Sequence, residues 1–235
     1  MAATRGMAYH QREGSGSSRS DEHALASGGD IKTMVNRQVP PIRKLDDQGH
    51  VLSNAARLFR EKGFEKTSLK EIAEACDMLP GSLYYRYSTK EALLVELMRR
   101  GVDLVTAEVE MALTSSDDPV ERLRLCINAH LHALLVDSDT VYVLLFEWRA
   151  LGPEAREEII ELRDQYESLW AGILETMMEQ GVIQKGVDER LLRLIGLGAL
   201  NWVATWFDPK GAYTLDAIGD FIWQITIDGV ISQDA

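Results

Sequence analysis

From His50 onward the apolar positions recur at helical spacing almost without a break. Val51, Leu52, Ala55, Ala56, Leu58 and Phe59 form one stripe, and Gly63 followed by Phe64 reads as a helix stop with a hydrophobic contact beyond it. The stripe predicts a first helix over about 47–62. Ser68 stands three residues ahead of Glu71, so hydroxyl and carboxylate can each satisfy the other's unpaired backbone amide ahead of Leu69, Ile72 and Ala73. That capping box predicts a short second helix over about 69–75. Pro80 falls where a proline is best tolerated, in a first turn, and opens a third helix over about 80–86. Ser88 or Thr89 caps a fourth, over about 90–113, which the run from Ser115 to Pro119 ends.

The remaining chain continues in the same way. Asp118-Pro119 opens a fifth helix with Leu123, Ile127, His130 and Leu134 on one face, ending near Val136. A sixth starts at Thr140 and stops at Gly152, and Pro153 begins a long seventh that runs to about Gln180, with Gly181 as its stop. Asp188 and Thr214 cap two last helices, about 189–207 and 215–231. The expectation is an all-α protein of about nine helices. Residues 1–42, rich in Gly and Ser and closing on Pro40-Pro41, show no sustained periodicity and too little apolar surface to offset ordering. They are read as a flexible arm. Two short helices after a longer one make 43–93 a helix-turn-helix head, leaving 94–235 as a helical body.

The last short helix of such a unit can enter the major groove of DNA. Gly81 and Ser82 would let its N-terminal backbone approach phosphates, while Tyr84, Tyr85 and Arg86 carry hydrogen-bonding tips. Leu83 and Tyr87, four apart, are expected to face the core, and Arg86 either meets DNA or pairs with a nearby acid.

Residues 58–93, LFREKGFEKTSLKEIAEACDMLPGSLYYRYSTKEAL, resemble the TetR family of transcriptional regulators. The resemblance implies that Thr67, Pro80, Gly81, Ser82, Tyr84, Tyr85 and Lys90 lie at DNA-contact positions. Tyr84 would contact phosphate, Tyr85 occupies a place often held by histidine, and Lys90 would hold the DNA backbone from the start of the fourth helix. Four residues depart from the family's usual pattern. Asp77 stands where the turn usually has glycine, and Leu79 replaces a serine cap typically worth about 1 kcal/mol. Pro80 replaces a residue that is often lysine, and Tyr87 a phenylalanine. These put the operator sequence in doubt, not the binding mode.

Charge at first argues against DNA, since the whole chain carries a net -12. Divided by segment, residues 43–100 hold eleven Lys and Arg against nine acids, whereas 101–235 hold nine against twenty-four. The head is thus weakly basic and the body strongly acidic, as a chain needs if one part approaches phosphate and the other does not. No apolar run reaches the roughly 18 residues of a membrane span, and no apolar core of a signal peptide is present, so a cytoplasmic location without membrane contact is expected. Cys76 and Cys126 form neither a disulfide framework nor a metal motif and are read as buried small hydrophobes.

The last two helices are apolar over more of their circumference than one core-facing stripe needs. The resemblance implies a homodimer through a four-helix bundle of these two; a larger monomer core is the alternative. It also implies a cavity for a small hydrophobic effector, with Leu104, His130, Leu134, Tyr142, Phe146, Tyr166, Trp170, Met177 and Trp202 as candidate lining, although such residues taken singly are more often plain core. Arg149 and Arg163, if inward, favour an acidic ligand unless Glu147, Glu161 and Glu167 neutralise them. An acyl-CoA or a fatty or sterol-derived acid is the effector class expected. His130 and His132, two apart, share no helix face and make a poor metal pair. No nucleophile elbow, phosphate loop or paired-histidine site appears, so no enzyme, cofactor or metal is expected. The reading is a ligand-responsive repressor that binds a palindromic double-stranded operator; the alternative is a helical ligand-binding or adaptor protein that does not bind DNA.

Overall fold

The computed structural model describes residues 47–230, apart from the side chains of Asp47 and Val136. The arm expected over 1–42 and the final residue of the last expected helix, Ile231, lie outside the described residues. The helices are α1 (Asp47–Lys62), α2 (Leu69–Ala75), α3 (Pro80–Arg86), α4 (Lys90–Leu113), α5 (Pro119–Val136), α6 (Ser138–Phe146), α7 (Pro153–Glu179), α8 (Glu189–Trp206) and α9 (Leu215–Val230), with a 3-10 turn at Trp148–Ala150. Among the described residues there is no strand.

Local chemistry sets most boundaries. Gly63 takes φ 83° after α1, and its amide donates to the Phe59 carbonyl at 2.8 Å. The capping box is present: Ser68 Oγ accepts from the Glu71 amide at 3.2 Å and Glu71 Oε2 accepts from the Ser68 amide at 2.8 Å. Thr89, not Ser88, caps α4, accepting from the Ala92 amide at 3.0 Å. The sixth helix differs from expectation at both ends. Asp137 alone separates it from α5 and caps it, accepting from the Thr140 amide at 3.3 Å, so α6 starts at Ser138. It stops at Phe146, because the next residues tighten into the 3-10 turn that redirects the chain toward Pro153.

Phe59, Ile72 and Leu83 are fully buried at the meeting of α1, α2 and α3, and Leu93, Leu94, Leu97 and Met98 of α4 continue that core. The 24 residues of α4 span about 36 Å, long enough to belong to both head and body. In the body it runs against α6 at Gly101, where an added Cβ would lie 3.2 Å from Leu144. The tightest approach is between α5 and α9: a Cβ on Gly219 would lie 2.1 Å from Asn128 Oδ1. Arg124 of α5 holds α9 through Asp220 at 2.8 Å, and His132 does so through Asp216 at 2.7 Å.

Polar ties fasten the head, and α4 just beyond it, to the rest of the body. Arg60 of α1 donates to Asp139 at 2.8 Å and Ser138 at 3.1 Å at the start of α6, and lies 5.2 Å over the Tyr142 ring. Glu91 in the first turn of α4 accepts the Gly152 amide at 2.6 Å, supplying a cap that α7's own glycine N-cap lacks. Arg99 pairs with Glu158 of α7 at 2.5 Å, and Arg100 with Asp137 at 3.5 Å.

Candidate functional site

The first candidate surface is α3. It follows a tight turn in which Asp77 takes φ 52°, the one non-glycine residue in the left-handed region among the described residues, and the Met78 amide closes on the Ala73 carbonyl at 2.9 Å. Leu79 leaves the helix without a side-chain cap, and Pro80 presets its first turn. Leu83 and Tyr87 point inward and are buried, as their spacing predicts. Gly81, Ser82, Tyr84, Tyr85 and Arg86 are exposed, Tyr85 at 96%. The side chains of Tyr84, Tyr85 and Arg86 make no hydrogen bond or ion pair among the described residues, so Arg86 is not neutralised by a neighbouring acid. An added Cβ on Gly81 would meet nothing within 4 Å, which leaves the N-terminal backbone of α3 open to a ligand.

Three of the positions expected at DNA are placed differently. Thr67 is buried, and its hydroxyl donates to the carbonyls of Gly63 at 2.9 Å and Leu58 at 3.3 Å. Lys90 is half-buried: Nζ donates to the carbonyls of Phe64 at 2.6 Å and Glu65 at 3.3 Å and lies 4.1 Å over the Phe64 ring. The Gly63, Phe64 and Glu65 carbonyls that they reach lie beyond the end of α1, where the helix supplies no partner. Pro80 is half-buried and, having no amide hydrogen, offers nothing to phosphate.

The second candidate is a cavity of about 160 Å³ lined by α4 to α8 and partly open to solvent. Its apolar wall includes Val102 and Val105 of α4, Leu134 of α5, Val141, Leu144 and Leu145 of α6, and Leu194, Leu197 and Gly198 of α8. Its polar lining is His130, Arg163, Tyr166, Glu167 and Asn201. The Tyr166 hydroxyl donates to His130 Nδ1 at 2.5 Å, and His130 Nε2 donates to Asn201 Oδ1 at 3.2 Å. Since the amide oxygen can only accept, the ring is the neutral tautomer protonated at Nε2. Burial pushes the His130 pKa down to about 4, and pushes that of Tyr166 up, so both are uncharged at neutral pH. Glu167 is held by Arg193, which also binds Glu189 at 3.0 Å. Arg163, half-buried at the same wall, has no hydrogen bond or ion pair among the described residues.

Of the candidate lining residues, His130, Leu134 and Tyr166 face this cavity. Trp170 stands behind the network, edge-on to His130 at 5.9 Å, and lines a separate apolar gap of about 40 Å³. Met177 is fully buried core away from both. Leu104 is turned away because Val102 and Val105 occupy the inward face of α4. Tyr142 and Phe146 pack with tilted rings 4.6 Å apart, Tyr142 against Arg60, and neither lines the cavity. Trp202 is 64% exposed on the outside of α8. Asn201 is not among the expected lining residues; its signal in the sequence is that it is the one amide in an apolar run, LLRLIGLGALNWVATWF, where a polar side chain calls for a partner.

Beside Trp202, Leu191, Ile195 and Trp206 of α8 and Phe221 and Ile225 of α9 also stand in solvent, an apolar face too wide to belong to a lone monomer. No group of three or more metal-binding side chains occurs among the described residues. No single helix among them is long and apolar enough to cross a membrane.

Comparison with known sequences places the head, residues 51–97, in the family described as bacterial regulatory proteins, tetR family. Residues 116–230 match the tetracyclin repressor-like C-terminal domain. The chain belongs to the TetR family of transcriptional regulators. It is therefore a regulator and not an enzyme. Among solved structures it is similar to PfmR of Thermus thermophilus, 32% identical with a TM-score of 0.70, covering 76% of this chain and 97% of PfmR. It is equally similar to AibR in complex with isovaleryl coenzyme A and operator DNA, 32% identical with a TM-score of 0.69, covering 77% and 97%. The transcriptional repressor KstR2 of Mycobacterium tuberculosis is 28% identical over 188 residues, covering 79% of this chain and 94% of KstR2.

Proposed function

We propose that this TetR-family regulator is a dimeric repressor whose α3 reads a palindromic operator and whose cavity takes a small apolar effector that releases the DNA. The observation that carries the reading is the reach of α4. Its first turn follows the exposed recognition helix, and Val102 and Val105, about three turns on, form a wall of the cavity. A ligand that fills the cavity therefore presses on the element that positions the head.

At α3 the DNA contacts are Gly81, Ser82, Tyr84, Tyr85 and Arg86, with Thr67 and Lys90 bracing the head from behind. The apolar face of α8 and α9 seats the second copy, because two recognition helices must reach major grooves about 34–36 Å apart, or a related spacing. Residues 43–93 act as the head and 94–235 as the effector and dimer body. A second route of coupling runs through α6, one face of which lines the cavity while Ser138, Asp139 and Tyr142 engage Arg60 of α1. A ligand binding better to one head spacing shifts the population toward it. AibR, a relative bound to both an acyl-CoA and operator DNA, supports an effector of acyl type.

The test is binding of the full chain to DNA upstream of its own gene across a salt series, with and without hydrophobic carboxylates and their CoA thioesters. Sequence-specific binding that weakens steeply with salt and is lost on adding one compound is the expected result. Binding that is indifferent to salt and sequence defeats the repressor reading.

A further inference from the structure

The cavity carries more information than its presence. Its volume of about 160 Å³ is close to that of an apolar protein cavity of roughly 150 Å³ that takes up benzene, so the buried part of a ligand has roughly six to ten non-hydrogen atoms. A long acyl chain or a fused sterol ring system exceeds that. The polar lining fixes the other end. Both nitrogens of His130 are engaged, and Asn201 Oδ1 accepts from one of them, which leaves the Asn201 amide N–H groups as donors. Arg163 adds a half-buried guanidinium with no anionic partner among the described residues, while the nearby carboxylate of Glu167 is occupied by Arg193. The site thus offers donors and positive charge, with its one carboxylate already paired.

Building on the repressor reading, we propose that the effector is a short acyl compound, branched or aromatic, whose oxygen-bearing head faces Asn201 and Arg163. The unpaired guanidinium disfavours a cationic amphiphile, and a long-chain or sterol acid would leave most of its apolar surface outside the cavity. Free carboxylate and CoA thioester share this chemistry, since each presents a short apolar group ending in an acyl oxygen with negative charge on or beyond it.

Calorimetric titration of the full chain with isovalerate, isovaleryl-CoA, isopentylamine, palmitate and palmitoyl-CoA, run beside operator binding without ligand, decides the matter. One of the two isovaleryl compounds should bind at least about tenfold more tightly than the amine and than its palmitoyl counterpart. Which of the two binds separates the free acid from the thioester. Arg163→Gln should weaken that ligand by about tenfold or more, as loss of a charged hydrogen bond does, without lowering the melting temperature of the unliganded protein. Leu145→Ala, which enlarges the wall, should shift preference toward hexanoyl or octanoyl chains. Equal or tighter binding of the palmitoyl compounds or of the amine, no binding of any probe, or an Arg163→Gln variant of undiminished affinity overturns the proposal. Should specific DNA binding persist in that event, only the effector assignment falls; should it be absent from the start, the repressor reading falls as well.

Discussion

Two surfaces of this regulator leave large aromatic side chains in water, and they differ in what the rings carry. On α3, Tyr84 and Tyr85 end in hydroxyls and stand beside Arg86, in a segment of slight positive charge. On α8 and α9, Ile195, Trp202, Phe221 and Ile225 present mostly carbon, in a segment where acids outnumber bases by more than two to one. A ring with a polar tip can exchange water for phosphate oxygens or base edges at little cost. A carbon surface gains only by meeting more carbon. Exposure therefore marks both as contact surfaces, while tip chemistry and local charge assign one to DNA and the other to a second copy. The cavity makes a third case, because Tyr166 uses the same hydroxyl inside the body, dried and locked onto His130.

The hardest test of this division is to charge the carbon surface. Ile195→Glu combined with Phe221→Glu should give a monomer by light scattering, and with it a loss of operator affinity of about a hundredfold to several thousandfold, since the second head no longer binds as a tethered partner. A double variant that stays dimeric would place the seam elsewhere.

The internal case is sharpened by pH. His130 has its pKa lowered by burial from 6.5 to about 4, so the folded state resists a proton that the unfolded chain accepts. Stability from this group is complete above pH 6.5 and is lost as pH falls toward 4, by up to about 3 kcal/mol. In His130→Asn that slope should flatten in urea melts between pH 6.5 and 4. Glu71, lowered from 4.5 to about 2 first by the Ser68 amide and then by Lys62, adds a slope of the same sign that begins below about pH 5, but it is common to both proteins, so the difference between them reports His130.

Within the head, Lys90 and Tyr85 should behave as opposites. Lys90→Ala removes a charged donor from the carbonyls of Phe64 and Glu65 and should cost about 1–2 kcal/mol in thermal stability. Tyr85→Ala, at a site 96% exposed, should change stability by no more than about 0.5 kcal/mol while altering preference among operator sequences. If Lys90→Ala weakened DNA binding with an unchanged melt, Lys90 would be a phosphate ligand after all.

That pair also shows what the sequence made legible. The helices of the head could be placed nearly to the residue because their ends are written in adjacent positions: Gly63, the Ser68–Glu71 box, Pro80, Thr89. The tasks of Thr67 and Lys90 could not, since a motif specifies residue types and not which way a flexible side chain turns; the Lys90 contacts cross 25 and 26 residues of chain. In the body the difficulty is a different one. α6 is apolar on nearly every side, so periodicity cannot say whether Val141 and Leu144 or Tyr142 and Phe146 meet the cavity, and packing against Arg60 decides it. The divided charge and the bare apolar faces of the last helices needed no such arbitration.

The one change expected to leave operator preference alone and to cost no stability is at Tyr87, which lies between the two uses of tyrosine. Its ring packs inward beneath α3 like a core residue, yet its hydroxyl is buried without a hydrogen-bond partner. Burial raises its pKa, so the hydroxyl stays protonated and brings neither charge nor a bond. Removing a buried polar group whose pairing is already lost returns its desolvation cost, whereas the small gap left by one oxygen costs part of that gain. Tyr87→Phe should therefore be neutral or stabilising by up to about 1 kcal/mol in chemical denaturation, with operator preference unchanged. A clear loss of stability would mean that the hydroxyl has a partner in solution, and an altered operator preference would mean that it reaches DNA; either result would move Tyr87 from the core to the reading surface.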